Sequence, residues 1–359
     1  MAKTHKAVVT VGPRKPLRVI EVETPLPKGN ELLVRVDWTA STPLDLHQAD
    51  GGLLVKPPQI LGDGCAGPVV AVGPAVNKFA IGDRVFGFTW RSSAEKAHQE
   101  FVLAPENLFG RIPDGFEEQD VVTVPNNFVT AFQCSVNDLG LELPWPKPEG
   151  FTPRAADKSI LIWGGSSSVG QYAIQLLSYY GYRKIIATAS AKHHKFLRSL
   201  GAVDLVDYRD ENVVDRVRDL AGGQVAFVMD CIGSLEGSVR PISKIAESGT
   251  IVAIMLPVIL KDATETQAPE YEMDVSKVLD WGAGVDAKGV RTHFYLQNQF
   301  LAEHLQTDIM PAMLANGAIK PNRTLIVEGS TLLERAENAL DLLRRKVPSA
   351  ERLVWRVSE

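Results

Sequence analysis

Ile160-Leu161-Ile162-Trp163-Gly164-Gly165-Ser166-Ser167-Ser168-Val169-Gly170-Gln171-Tyr172-Ala173-Ile174-Gln175-Leu176-Leu177 is the stretch that decides the fold. An apolar run gives way to a Gly/Ser turn and then to apolar residues at helical spacing, which predicts strand, tight loop and helix. A loop without large side chains lets backbone N–H groups and a helix N-terminus approach a phosphate, and the helix dipole favours negative charge there. The pattern predicts a dinucleotide site. It departs from the G-x-G-x-x-G fingerprint at the middle glycine, where Ser167 stands between Gly165 and Gly170. The Ser166-Ser167-Ser168 hydroxyls can replace that glycine's backbone approach with side-chain donors. A Walker loop is excluded, because Gln171 and Tyr172 follow the last glycine in place of Lys and Ser or Thr.

Downstream, strand-like runs at 184–187, 205–206, 225–229 and 250–255 alternate with helical spacing at 191–200, 213–220 and 239–247. This alternation predicts a doubly wound parallel α/β sheet. Residues 261–280 are polar and read as a loop with a short helix; a last strand is expected at 290–296 and a helix at 299–315. Upstream, residues 6–128 carry short Val, Phe and Ile runs at 17–22, 31–38, 67–72, 84–88 and 98–102, separated by Gly and Pro, which predicts a β-barrel-like domain. A helix is expected over 126–139, then a proline-rich excursion at 144–148. The tail, with strands at 325–327 and 353–357 around a helix at 332–345, returns to the mixed character of the start. The expected domains are 1–126 and 127–298, with 299–359 rejoining the first.

A chain of 359 residues with 45% hydrophobic and 23% charged residues is long enough for two ordinary domains. A formal charge of −5 gives no electrostatic reason to expect nucleic acid or an anionic membrane. Apolar runs are interrupted well short of a membrane span, and the first residues lack the apolar core of a secretion signal. Cys65, Cys134 and Cys231 are scattered and odd in number, which suits a reducing compartment; the cytoplasm is the expected location. Where the second strand should end, at 188–190, an NAD enzyme would carry Asp or Glu for the ribose 2′-hydroxyl. Ser190, Lys192 and Lys195 stand there and thereabouts, a hydroxyl and two cations suited to a 2′-phosphate, so NADPH is expected.

Further motifs occur in a fixed order: Thr42-Pro43-Leu44-Asp45, Ile60-Leu61-Gly62-Asp63-Gly64-Cys65-Ala66-Gly67, Ile81-Gly82-Asp83-Arg84-Val85, Val124-Pro125 leading to Thr130-Ala131-Phe132, Asp230-Cys231-Ile232-Gly233 and Ile319-Lys320-Pro321-Asn322. By these and the 164–170 loop the chain resembles the medium-chain dehydrogenase/reductase superfamily over nearly its whole length. Within it the chain is similar to the zinc-free quinone and enoyl reductases, above all the fungal stand-alone enoyl reductases that serve polyketide synthases.

The resemblance implies a GroES-like catalytic domain beside a Rossmann cofactor domain. At the three matched positions of catalytic zinc it finds Thr42, Asp63 and Asn126 in place of thiolate and imidazole ligands, so no metal is expected. The loop residues Gly165, Ser166, Ser167, Ser168 and Val169 are expected cofactor contacts, with Asp45, Tyr208, Ile232 and Val354 beside them. Thr130 matches a threonine near the nicotinamide ribose. His47 is a candidate proton donor, with water as the alternative, and Asn127 can orient a carbonyl. The expected activity is NADPH-dependent reduction of an activated C=C bond in a free or carrier-bound enoyl substrate, with a polyketide synthase as the partner in the latter case. Two alternatives stay open: a quinone or carbonyl reductase of free small molecules, and a cofactor-binding protein without catalysis. Monomer and homodimer are both open.

Overall fold

Ser159–Trp163, five buried residues of sequence SILIW, is a central strand of a six-stranded parallel sheet. A strand buried on both faces has no polar side to alternate with, and this explains its unbroken apolar run. The computed structural model describes residues 3–358; Met1, Ala2 and Glu359 lie outside the described residues. The sheet order is Asp204–Val206, Lys184–Thr188, Ser159–Trp163, Phe227–Asp230, Ile251–Met255, Asp286–Val290. The order reverses direction between the second and fourth of these strands, so the loop after Ser159–Trp163 sits at the topological switch point, where open α/β sheets bind ligands.

The chain divides into two units. One comprises the chain up to Asn126, Ala263–Pro269 and the chain from Gln297 onward; the other comprises Asn127–Asp262 and Glu270–Leu296. The first unit is built on a mixed sheet in which Arg323–Ile326, Glu351–Arg356, Trp38–Ala40, Gly64–Val72, Glu31–Arg35 and Phe101–Pro105 are successive neighbours. Arg84–Phe88 and Phe109–Arg111 extend it, and Thr4–Thr10 with Arg18–Glu23 and Gln59–Ile60 forms a separate three-stranded sheet. Together these are the GroES-like and Rossmann-type architectures expected from the motifs.

Three local expectations change. Residues 43–51, read in the sequence only as part of a motif, form a helix, Pro43–Gly51; Pro at the first helical position and Asp45 in the first turn are its start signals. The polar stretch 261–280 holds a hairpin arm, Glu270–Glu272, paired with Val258–Lys261. Within that stretch Ala263–Pro269 belongs to the first unit, where the Arg14 guanidinium donates to the carbonyls of Thr264, Glu265 and Gln267. The last parallel strand is Asp286–Val290 and not 290–296, and Thr292–Gln297 is a 3-10 helix.

Candidate functional site

In the second unit the loop 164–170 is folded by its own backbone. Gly164 has φ +83°, the left-handed region that only glycine enters without strain. Gly165 N–H donates to Thr188 O at 2.8 Å and Gly164 N–H to Thr188 Oγ1 at 3.0 Å, tying the loop to the neighbouring strand. Ser167 caps the helix Ser168–Tyr180: its Oγ accepts Gly170 N–H at 3.1 Å. A Cβ on Gly170 would lie 2.4 Å from Gly164 O, so helix and strand approach as closely as the third glycine of the fingerprint demands. Buried Gln171 donates to Ser166 O at 2.9 Å and holds the outer limb of the loop. Ser166, Ser167, Ser168 and Val169 are partly exposed, while Gly165 is buried. The first turn of a 13-residue helix leaves backbone N–H groups without intrahelical acceptors, so the cradle has the donors, the small residues and the dipole a phosphate needs.

Ile232, 40% exposed, flanks this loop, its side chain occupying the space a Cβ on Gly164 would need. It is held there by Asp230, a fully buried carboxylate whose Oδ1 accepts the N–H groups of Ile232 and Gly233 and whose Oδ2 accepts Ser238 Oγ at 2.7 Å. Burial pushes the Asp230 carboxyl up to about 6 against the pull of those donors. Burial, and then the Asp230 charge, raise the pKa of the Cys231 thiol beside it.

The end of the second strand carries no acid, as the sequence reads. Ser190 opens the turn into Ala191–His193, with Lys192 and Lys195 exposed and Tyr208 46% exposed nearby in sequence to Asp207 and Arg209. Asp207 is the residue that sequence reasoning missed here. Its Oδ2 accepts Ala191 N–H at 3.1 Å, and it takes Arg209 through Nε at 2.9 Å and Nη2 at 2.6 Å, placing a guanidinium 5.7 Å from the Tyr208 ring. The Arg209 hydrogen bonds hold Asp207 far below the usual carboxylate range. The only sequence signal was the alternation of Asp, Tyr and Arg at 207–209.

Thr130 and Asn127 lie on the helix Pro125–Gln133. Both are buried, at 5% and 6% exposed, and Asn127 Nδ2 has no hydrogen-bond partner. Thr130 Oγ1 is 2.9 Å from Thr292 Oγ1. The Phe128 ring meets Tyr172 edge-on at 6.3 Å, packing this helix against the one that starts at the 164–170 loop.

The first unit holds a buried polar cluster at the positions matched to zinc ligands. Asp63 is 2% exposed; its Oδ2 accepts Asn126 Nδ2 at 2.7 Å, and its Oδ1 has no partner. Burial, then the neighbouring Asp45 charge, lifts Asp63 to about 6, with Lys96, Arg352 and Asn126 opposing. Thr42 Oγ1 and both ring nitrogens of buried His98 are likewise without partners, and burial with the Lys96 charge lowers His98 to about 3, so its ring is neutral. Among the described residues no group of three or more His, Cys, Asp or Glu is placed to hold a metal ion.

Two expected cofactor contacts have other work. Asp45 is 2% exposed and spends its carboxylate on the N–H groups of Thr42, at 2.7 Å, and Gly62, at 3.0 Å, so it caps a helix and pins a loop. Val354 is 0% exposed in the strand Glu351–Arg356, paired on both sides with Ile326 and Ala40, and its side chain is core. His47 is partly exposed on the helix Pro43–Gly51.

Residues 28–133 match the alcohol dehydrogenase GroES-like domain family and residues 168–275 the zinc-binding dehydrogenase family. The chain is 30% identical to the trans-enoyl reductase himH of Aspergillus japonicus over 342 residues, covering 91% of this chain and 90% of that one. It is 35% identical to the dehydrogenase azaJ of Aspergillus niger over 244 residues, 65% of this chain and 67% of that one. Among solved structures, the CurK enoyl reductase superposes with a TM-score of 0.75 at 17% identity, covering 99% of each chain, a likeness of fold.

Proposed function

The chain belongs to the medium-chain dehydrogenase/reductase superfamily and is a nicotinamide-dependent oxidoreductase, and from that premise we propose that it uses NADPH, without zinc, to reduce an activated carbon–carbon double bond. When bound, the reduced nicotinamide supplies the hydride. The observation that carries the reaction class is the set Thr42, Asp63 and Asn126. Only the carboxylate of this set is a customary ligand of catalytic zinc, the hydroxyl and amide are not, and the carboxylate already accepts a hydrogen bond from the amide. Without a Lewis acid to polarise an alcohol or carbonyl, reduction relies on hydrogen-bond donors, which suits α,β-unsaturated carbonyls: hydride adds at the β-carbon, a proton at the α-carbon, and the carbonyl oxygen carries the transient charge. Thr130 and the unpartnered amide of Asn127 are the donors we assign to that oxygen.

NADPH over NADH is supported by Ser190, Lys192 and Lys195, with Arg209 held beside Tyr208 as a further cation. The name of the himH relative, a trans-enoyl reductase, supports an enoyl substrate, and the proposed carrier of that chain is a separate polyketide synthase. The test is a panel of enoyl thioesters, enals, enones and quinones followed by NADPH oxidation, together with fluorescence titration of NADPH and NADH. Fastest turnover on an enoyl thioester and at least tenfold tighter NADPH binding are expected. Quinone turnover alone would replace the substrate assignment, and no turnover on any acceptor would reduce the chain to a cofactor-binding protein.

A further inference from the structure

The second unit brings two hydroxyls together just beyond the last strand of its sheet. From Asp286–Val290 the chain passes through exposed Arg291 into the 3-10 helix Thr292–Gln297, and Thr292 Oγ1 stands 2.9 Å from Thr130 Oγ1. Gln133, three residues on and therefore on the same helix face as Thr130, points its Nε2 at Arg291 O and at Asp138 Oδ2, each at 3.4 Å. One helix face is thus set against two successive residues, 291 and 292.

A hydroxyl carries one proton and two lone pairs. Between Thr130 and Thr292 one proton is spent inside the pair, and the other must go to an acceptor outside it. A helical threonine also has two favoured χ1 states, one of which turns its hydroxyl back to the carbonyl one turn earlier. We infer that Thr292 is a positioning residue: its hydroxyl selects the rotamer and proton direction in which Thr130 meets the substrate oxygen. The inference rests on the reaction role proposed for Thr130.

The experiment compares the full-length chain with T130V, T292V, T292S and T130V/T292V, measuring kcat and KM on the best enoyl substrate, NADPH Kd by fluorescence, and Tm. T292V should lower kcat about tenfold while KM, NADPH Kd and Tm stay near those of the unsubstituted chain. T292S should restore kcat to within twofold, and the double variant should be no slower than T130V by more than threefold, as for two groups acting as one. Unimpaired kcat in T292V, with or without a lower Tm, would overturn the inference alone, as would T292S as slow as T292V or multiplicative losses in the double variant. T130V with normal kcat would overturn the role of Thr130 and the inference with it. No turnover by the unsubstituted chain would overturn the proposed reaction itself.

Discussion

Ser167 shows how a side chain can occupy the middle position of a glycine fingerprint. Its backbone is extended, φ −65° and ψ 160°, so no glycine is required there, and its hydroxyl oxygen caps Gly170 N–H. Gly164, with φ +83°, and Gly170, with a carbonyl 2.4 Å from where a Cβ would sit, have no such freedom. Asp caps helices as well as Ser and is favoured by the helix dipole, so S167D should keep its thermal stability. The added charge beside a phosphate should raise the NADPH Kd at least tenfold, about 1.4 kcal/mol. A fluorescence titration with unchanged Kd would place the phosphates elsewhere. Ser190, Lys192 and Lys195, the donors we propose for a 2′-phosphate, stand out in the sequence by position along the second strand, whereas Asp207 does not, because its acceptor role toward Ala191 N–H spans 16 residues.

At the scale of elements, the helix Pro125–Gln133 carries Thr130 and is seated by Phe128, 0% exposed and edge-on to Tyr172. F128A should cost about 3–5 kcal/mol, the usual range for a buried Phe, and a loss of urea-unfolding free energy smaller than about 1 kcal/mol would show the site collapsing around the cavity. The last strand illustrates why element boundaries were harder to read. Asp286-Ala287-Lys288-Gly289-Val290 lies at the sheet edge, where one side needs no apolar residues, and Gly289 is small because a Cβ there would meet Leu256 Cδ1 at 2.6 Å. The more apolar 290–296 looked like the strand, yet only Val290 belongs to it. Because of that displacement Thr292, which faces Thr130, carried no signal in the sequence.

At the scale of the molecule, two buried acids, Asp63 and Asp230, and the partly buried Asp138 are each raised by desolvation to about 6. A carboxyl that keeps its proton longer in the folded chain than in the unfolded one stabilises the fold below the unfolded pKa near 3.8, and that contribution is lost as pH rises through about 6. Asn at 230 can still accept the Ile232 and Gly233 N–H groups on its oxygen and removes the titration. D230N should therefore gain stability relative to the unsubstituted chain between pH 4 and pH 6.5, by up to about 3 kcal/mol, read from urea unfolding at the two pH values. Equal pH slopes would show that Asp230 ionises normally. Fold class and the strand–loop–helix at 160–177 followed from the sequence alone, because hydrophobic period and glycine placement are local properties. Tertiary structure alone decided that Asp45 and Val354 are spent on capping and core, that Asp63 holds Asn126, and that Thr292 meets Thr130, because each depends on which distant backbone or side chain folding brings within hydrogen-bond or packing distance.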